Sequence, residues 1–490
     1  MKGELLRPQA SKGSPSYLSD YLKRNAQHWP AKLAVDDGQN HMTWSQLWKA
    51  VEPQANGLAK ALGSDEQQIV GLLMPNSLQF VISYLAIVHA GHIALPIDII
   101  YKPLEIDAVI DQVKPRMIIT NRANRSRISS RHKSVVIFED LAPSQPTELL
   151  RLSPGKQIAS LFFTSGTTGT PKLAPNTHTN QIWNIRACSE VWAWNHDDSW
   201  LISLRLSHWY GLVMGLSGTL YHGNSLYLQD RFDPQATLKI LASGRITMFT
   251  HGPVAYGRLV AAKPARRYDL SKVRLFISGS APLPPRTWKQ FKERFGHEIL
   301  EVYGTTETGR IASNLLDERL PGSPGRPLPD VKLKLGDNGE VMVKSPGVFP
   351  GYFHNQRATQ NSMNSDGYWR TGDLGELIDG RLHLKGRVQE KIRKSGYTIS
   401  PRDIEWALHK LPAIKEVYVL GLQRAGSPDD ELVYYLVTDA SHEEVMTFCR
   451  ANLPSVWRPD KIIILDEIPK TRSGKPQIVR LRSLAKTGAA

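Results

Sequence analysis

Cysteine is nearly absent. The 490-residue chain has two, Cys188 and Cys449, far apart in sequence. That excludes a disulfide framework and a cysteine-based metal site, and it fits a reducing, cytoplasmic compartment. Long apolar runs are missing as well. The most apolar window, 69–90, is broken by Pro75, Asn76, Ser77 and Gln79, so no stable membrane insertion is expected and a buried strand followed by a helix is. The opening stretch MKGELLRPQASKGSPSY lacks the apolar segment of a secretion signal. Acidic residues are in deficit, with 46 Asp and Glu against 61 Lys and Arg, net charge +15. The excess is spread along the chain. One basic run stands out, NRANRSRISSRHK, with Arg122, Arg125, Arg127, Arg131 and Lys133 and no interleaved aromatic, so it reads as a solvated loop and no nucleic-acid partner is expected. A general basic bias suits polyanionic small ligands or an acidic partner.

What is present is a regular alternation. KLAVDD and QIVGLLMPN read as strands, SLQFVISYLAIVHAG as a helix, HIALPID as a strand, LEIDAVIDQVK as a helix and PRMIIT as a strand. Such alternation specifies α/β layers around a parallel sheet. It resumes later with TLKILASG, ITMFTHGP and VRLFISGSAPL. From about Arg310 the texture changes. A Pro/Gly connector, LPGSPGRPLPD, precedes VKLKLGDNGEVMVKS, whose period-two pattern around a Gly-Asp-Asn-Gly turn predicts a hairpin in a small antiparallel β unit. A short α+β region follows, with helices at SPRDIEWALHKL and HEEVMTFCRANL and strands at IKEVYVLGLQ and ELVYYLVTD. The reading is an α/β protein. A large N-terminal domain of α/β layers plus a small β unit spans 1–386, and a small mobile α+β C-terminal domain spans 387–490. GRVQEKIRKSG forms the hinge, because charge, glycine and a change of composition coincide there.

One loop carries unusual chemistry. In TSGTTGTPK, 164–172, Thr164, Ser165, Thr167 and Thr168 supply hydroxyls, Gly166 and Gly169 let the backbone approach a partner, and Lys172 adds a cation. These are the parts of a polyphosphate cradle. Pro171 precedes the lysine where a Walker A loop needs glycine. On composition alone the loop is equally a surface connection.

Five motifs in order decide between them: the loop, EVYGTTETG at 301–309, YWRTGDLG at 368–375, GRVQEKIRKSGYTISPRDIE at 386–405, and PKTRSGK at 469–475. Together they resemble the adenylate-forming superfamily of acyl-CoA synthetases, peptide-synthetase adenylation domains and luciferases, over nearly the whole chain.

The resemblance implies specific roles. The loop would hold the β- and γ-phosphates of ATP. Tyr303 would offer a face to adenine beside Gly304 and the loop Gly279, Ser280 and Ala281. Thr306 would meet the α-phosphate, and Glu307 would ligate Mg²⁺. Asp373 would accept the ribose hydroxyls, with Arg387 adding a donor. Lys475 would stabilise the charge that builds when a carboxylate attacks the α-phosphate. Gln389, where the family often has Asp, would be the hinge. Two further departures are Ile478 for a usual Arg, read as a change of helix decoration, and Leu173 for a usual Gly, read as stiffening the loop exit.

The acid-binding region falls in LRLSHWYGLVMGLSGTL, where His208, Trp209 and Gly211 match an H-x-x-G pattern of acyl- and aryl-CoA synthetases. No Asp stands nearby in sequence to pair a substrate ammonium, so an acid without an α-amino group is favoured. Arg205 would meet the second carboxylate of a diacid. Gly396 in KSGY would admit a pantetheine arm, with coenzyme A the expected acceptor and a phosphopantetheinyl carrier protein, loaded with an acid or amino acid, the alternative. The expected reaction is an acid–thiol ligation: a carboxylic acid and ATP·Mg²⁺ give acyl-AMP and pyrophosphate, then a thiol takes the acyl group.

Overall fold

The computed structural model describes residues 15–63, 65–164, 172–262, 268–395, 397–424, 427, 429–470 and 476–487. Two large sheets form the N-terminal body. The first has six strands in the order Val135–Ile137, Met117–Thr120, Ile69–Leu73, Ile93–Pro96, Ile158–Phe163 and Leu173–Thr177. All its pairings are parallel except the last. The second has nine strands. Its middle, Ile299–Thr305, Leu275–Ser278, Met248–His251, Ser199–Ile202, Ser225–Leu228 and Leu33–Asp36, is parallel, and both ends finish antiparallel.

The strands and helices read from the alternating pattern are present. Ser77 caps helix Leu78–His89 by accepting from the Phe80 amide, and nearly every side chain of that helix is buried, as an all-apolar helix requires. The strand Leu173–Thr177 was not foreseen. It contains Pro175, which a sheet tolerates at an edge, where no ladder partner needs its missing N–H. Leu173 pairs with Phe163 and is buried in the core beside this sheet, so its bulk is a packing requirement. Thr177 ends that strand and caps helix His178–Trp192 by accepting from the Asn180 amide.

The hairpin predicted around the Gly-Asp-Asn-Gly turn is found. Lys332–Leu335 pairs antiparallel with Glu340–Lys344, Gly339 turning at φ +79°. Trp369–Ile378 and Arg381–Arg387 complete this four-stranded sheet. A short 3-10 turn, Val388–Glu390, leads to the small hairpin of Ile392–Lys394 with Tyr397–Ile399. Beyond it, strands Ile414–Gln423, Asp430–Thr438 and Lys461–Ile464 form a sheet, accompanied by helices Pro401–Leu408 and His442–Asn452. Among the described residues no helix is long and apolar enough to cross a membrane.

The basic run is tied down locally. Arg127 donates to the carbonyls of Ile99 and Tyr101, Arg125 to that of Ile128, and Arg122 and Arg131 pair with Asp140 and Asp111. Those guanidinium groups are engaged within the chain.

Candidate active site

Strand Ile158–Phe163 and strand Leu173–Thr177 pair as the two sides of one antiparallel hairpin, with residues 164–172 between them in sequence. The Thr164 amide donates to the Lys172 carbonyl at 2.9 Å, closing the base. Thr164 is buried. Ser165, Gly166, Thr167, Thr168 and Gly169 lie outside the described residues, as do Gly396 and Lys475. The Lys172 ammonium stands 4.6 Å from the centre of the Tyr352 ring, a favourable place for a cation over a π face.

The second element is the hairpin of Ile299–Thr305 with Gly309–Ser313. Gly304 is dictated by close approach, since a Cβ there would lie 2.1 Å from the Gly309 carbonyl oxygen. Thr305 and Thr308 close the turn reciprocally, each amide donating to the other's hydroxyl at 3.1 and 3.2 Å. Thr306 and Glu307 ride on that turn, half-buried. Glu307 is held twice: its carbonyl accepts from the Phe349 amide at 2.8 Å, and Oε1 accepts from the Tyr352 hydroxyl at 2.9 Å. Burial first, and then the Glu307 charge, push the Tyr352 phenol well above its ordinary pKa, so Tyr352 stays a donor.

On the same hairpin, the Tyr303 hydroxyl donates to Oδ2 of Asp373 at 2.6 Å. Arg387 Nε approaches Oδ1 of the same carboxylate at 3.0 Å. Asp373 and Arg387 are directly opposed in adjacent antiparallel strands, the arrangement in which cross-strand side chains meet. The Asp373 charge, ahead of an opposing effect of burial, holds the Arg387 guanidinium above its usual pKa. Burial and then Asp373 raise Tyr303 far above a free phenol. The carboxylate expected to face a ribose is thus held by one hydroxyl donor, Tyr303, and one ion-pair partner, Arg387, on separate oxygens.

Gly279 follows strand Leu275–Ser278, and a Cβ there would come within 2.8 Å of Val302 and 3.0 Å of the Tyr210 ring. Ser280 follows at φ +69°. Backbone therefore lies tightly against the strand that bears Tyr303. Of the acid-side residues, Trp209 is buried and its indole N–H donates to Asn176 Oδ1 at 2.8 Å. Gly211 opens a π-helix, Tyr210–Ser217, and a Cβ there would sit 2.4 Å from the Arg205 carbonyl oxygen.

His208 Nε2 lies 3.0 Å from Oδ2 of Asp98. Asp98, which sequence proximity did not reveal, comes from the loop after strand Ile93–Pro96 and is itself buried. Burial alone would raise its pKa. The His208 hydrogen bond and charge, the Ile100 amide and Arg205 outweigh that and lower it. Arg205 Nε stands 3.6 Å from Oδ1 of Asp98, so the arginine expected to meet a diacid already faces a carboxylate of the chain. The absence of an acid near His208 in sequence therefore does not hold in space.

Among the described residues no group of three His, Cys, Asp or Glu side chains is arranged to hold a metal. A single carboxylate such as Glu307 fits Mg²⁺ that arrives on nucleotide phosphates, because Mg²⁺ is commonly bound through one or two carboxylates plus phosphate and water.

This geometry has relatives. The family model described as AMP-binding enzyme matches residues 22–353, and that of the AMP-binding enzyme C-terminal domain matches 403–475. The chain is 28% identical to an oxalate–CoA ligase of Arabidopsis thaliana, over 94% of this chain and 97% of the relative. The fold superposes on ATP-bound MatB from Rhodopseudomonas palustris with TM-score 0.87 at 26% identity, covering 96% of this chain and all of that one. It superposes on the anthranilate CoA ligase AuaEII in complex with anthranoyl-AMP with TM-score 0.88 at 27% identity, covering 97% and 98%.

Proposed function

The chain belongs to the AMP-binding enzyme family and is an AMP-forming acid–thiol ligase, and we propose how its residues divide that work. A carboxylic acid and ATP give acyl-AMP and pyrophosphate, and coenzyme A then takes the acyl group. Coenzyme A is the acceptor in the names of the relatives, and nothing among them supports a carrier protein in its place.

The carrying observation is that one hairpin presents two fixed carboxylate systems. At Tyr303 it meets Asp373 and Arg387, and three to four residues on, at Thr306 and Glu307, it meets Tyr352 with Lys172 above the ring. The first system suits ribose hydroxyls, with Gly279, Ser280, Ala281 and Gly304 giving the base room against Tyr303. The second suits phosphates and a hard cation, with Thr306 directed to the α-phosphate. Mg²⁺, when bound, would offset phosphate charge and orient the pyrophosphate leaving group. Glu307 supplies an oxygen for it, and Tyr352 keeps that carboxylate in place. Thr164 and Lys172 anchor the two ends of the loop assigned to the departing phosphates.

In the acid site, His208 and Trp209 face the carboxylate, and Gly211 lets the helix start close to Arg205. Lys475 stabilises the negative charge that builds on the α-phosphoryl oxygens. The chain beyond Gln389 then turns about that residue, so that Lys475 leaves and Gly396 admits the pantetheine arm. Pyrophosphate release with Mg·ATP across a panel of carboxylic acids, each with and without coenzyme A, tests the reading. Release that needs one acid and rises with coenzyme A supports it. Release indifferent to coenzyme A would overturn the assigned acceptor.

A further inference from the structure

Arg310 follows the EVYGTTETG motif directly and lies in strand Gly309–Ser313. It is 3% exposed. Its Nε and Nη2 are buried with no hydrogen-bond partner, and among the described residues no carboxylate pairs with it. The guanidinium carbon sits 3.7 Å from the centre of the Tyr210 ring and 5.5 Å from that of Trp209. Nη1 lies 3.3 Å from where a Cβ on Gly279 would be. The group is therefore wedged between the acid-side rings and the nucleotide-side loop.

Burying a charge without a hydrogen-bonding counter-ion is unfavourable. Two aromatic faces offset part of the cost but occupy none of the planar N–H donors. Those donors match a carboxylate in geometry and charge. The neighbouring guanidinium, Arg205, already faces Asp98. Arg310 has no such partner.

We propose that Arg310 reads a second anionic group on the acid substrate, so that the enzyme activates dicarboxylic acids in preference to monocarboxylic acids of the same size. This rests on the ligase reading above and adds the substrate class to it. One carboxylate attacks the α-phosphorus, and the other stays ionised against Arg310.

The test pairs acids that differ only in the second carboxylate, such as butyrate with succinate and benzoate with phthalate. Pyrophosphate release is measured for the wild type, Arg310→Met and Arg310→Lys. The wild type is expected to favour a diacid by at least about 100-fold in kcat/KM, as expected where a site's buried polar group goes unpaired with the wrong substrate. Arg310→Met should lose that preference, raising KM of the diacid far more than KM of its matched monoacid, with Arg310→Lys partly restoring the diacid. Equal loss for both acid classes, or a wild type that prefers monoacids, would overturn the proposal. If no acid releases pyrophosphate, the ligase reading fails, and Arg310 is judged by equilibrium binding of the same acid pairs to ATP-loaded protein. Diacid binding that Arg310→Met abolishes upholds the proposal, and binding indifferent to the substitution overturns it.

Discussion

The Tyr352 hydroxyl donates to Oε1 of Glu307 at 2.9 Å while the Tyr352 ring lies under the Lys172 ammonium. One side chain therefore connects the carboxylate assigned to Mg²⁺ with the lysine at the exit of the phosphate loop. Tyr352→Phe keeps the ring and removes the donor. A net hydrogen bond to a charged group is worth about 1.5–3 kcal/mol. The expected result is a tenfold or larger rise in the Mg²⁺ concentration needed for half-maximal pyrophosphate release, with a loss of stability no larger than about 1.5–3 kcal/mol. An unaltered Mg²⁺ titration would show that Glu307 needs no such support.

Lys475 is assigned to adenylation alone. Lys475→Ala should slow pyrophosphate release by several hundredfold, on the scale of a lost charge-stabilising donor, and largely spare thioester formation from supplied acyl-AMP. Equal damage to both half-reactions would refute that division.

Two glycines separate packing from propensity. At Gly211 an added Cβ meets the Arg205 carbonyl oxygen at 2.4 Å, whereas at Gly257, within helix Pro253–Ala261, it meets nothing within 4 Å. Gly211→Ala should destabilise by about 1–3 kcal/mol through forced backbone movement and weaken acid binding through the displaced Asp98–His208 pair. Gly257→Ala should stabilise by about 0.5–1 kcal/mol. Denaturant midpoints measure both. A neutral Gly211→Ala would count against the tight approach.

Glu301 is buried, and burial, only partly countered by the Gly322 amide and Arg402, pushes its carboxyl up to about 7. The folded chain thus binds a proton that the unfolded chain, at an ordinary 4.5, has released. Stability from this group is complete below about 4.5 and falls as pH rises through 7, by at most about 3 kcal/mol. Glu301→Gln should therefore gain on the wild type between pH 5 and pH 8 in thermal unfolding. A constant difference over that range would contradict the raised pKa.

The fold was legible wherever periodicity was strong. Helix Leu78–His89, the parallel strands and the hairpin turning at Gly339 all announced themselves. The edge strand Leu173–Thr177 did not, because Pro175 reads as a breaker until the strand's place at the rim is known. Candidate site residues inside motifs could be named because the motifs resemble those of a known family. Tyr352 and Asp98 could not, since each joins the site from a loop with no signature of its own and meets its partner only in space. Arg310 left one trace, a charge inside the otherwise small and apolar strand GRIAS. The linear order did not disclose that, among the described residues, this charge has no carboxylate partner while Arg205 has one.

The register that sets Asp373 opposite Arg387 has a mechanical side. Arg387 is gripped by the ladder and by the carboxylate, and directly after it the strand gives way to a 3-10 turn, Val388–Glu390. If the chain beyond turns about Gln389 as proposed, the twist would begin after this pair, and Asp373 and Arg387 would keep their places together.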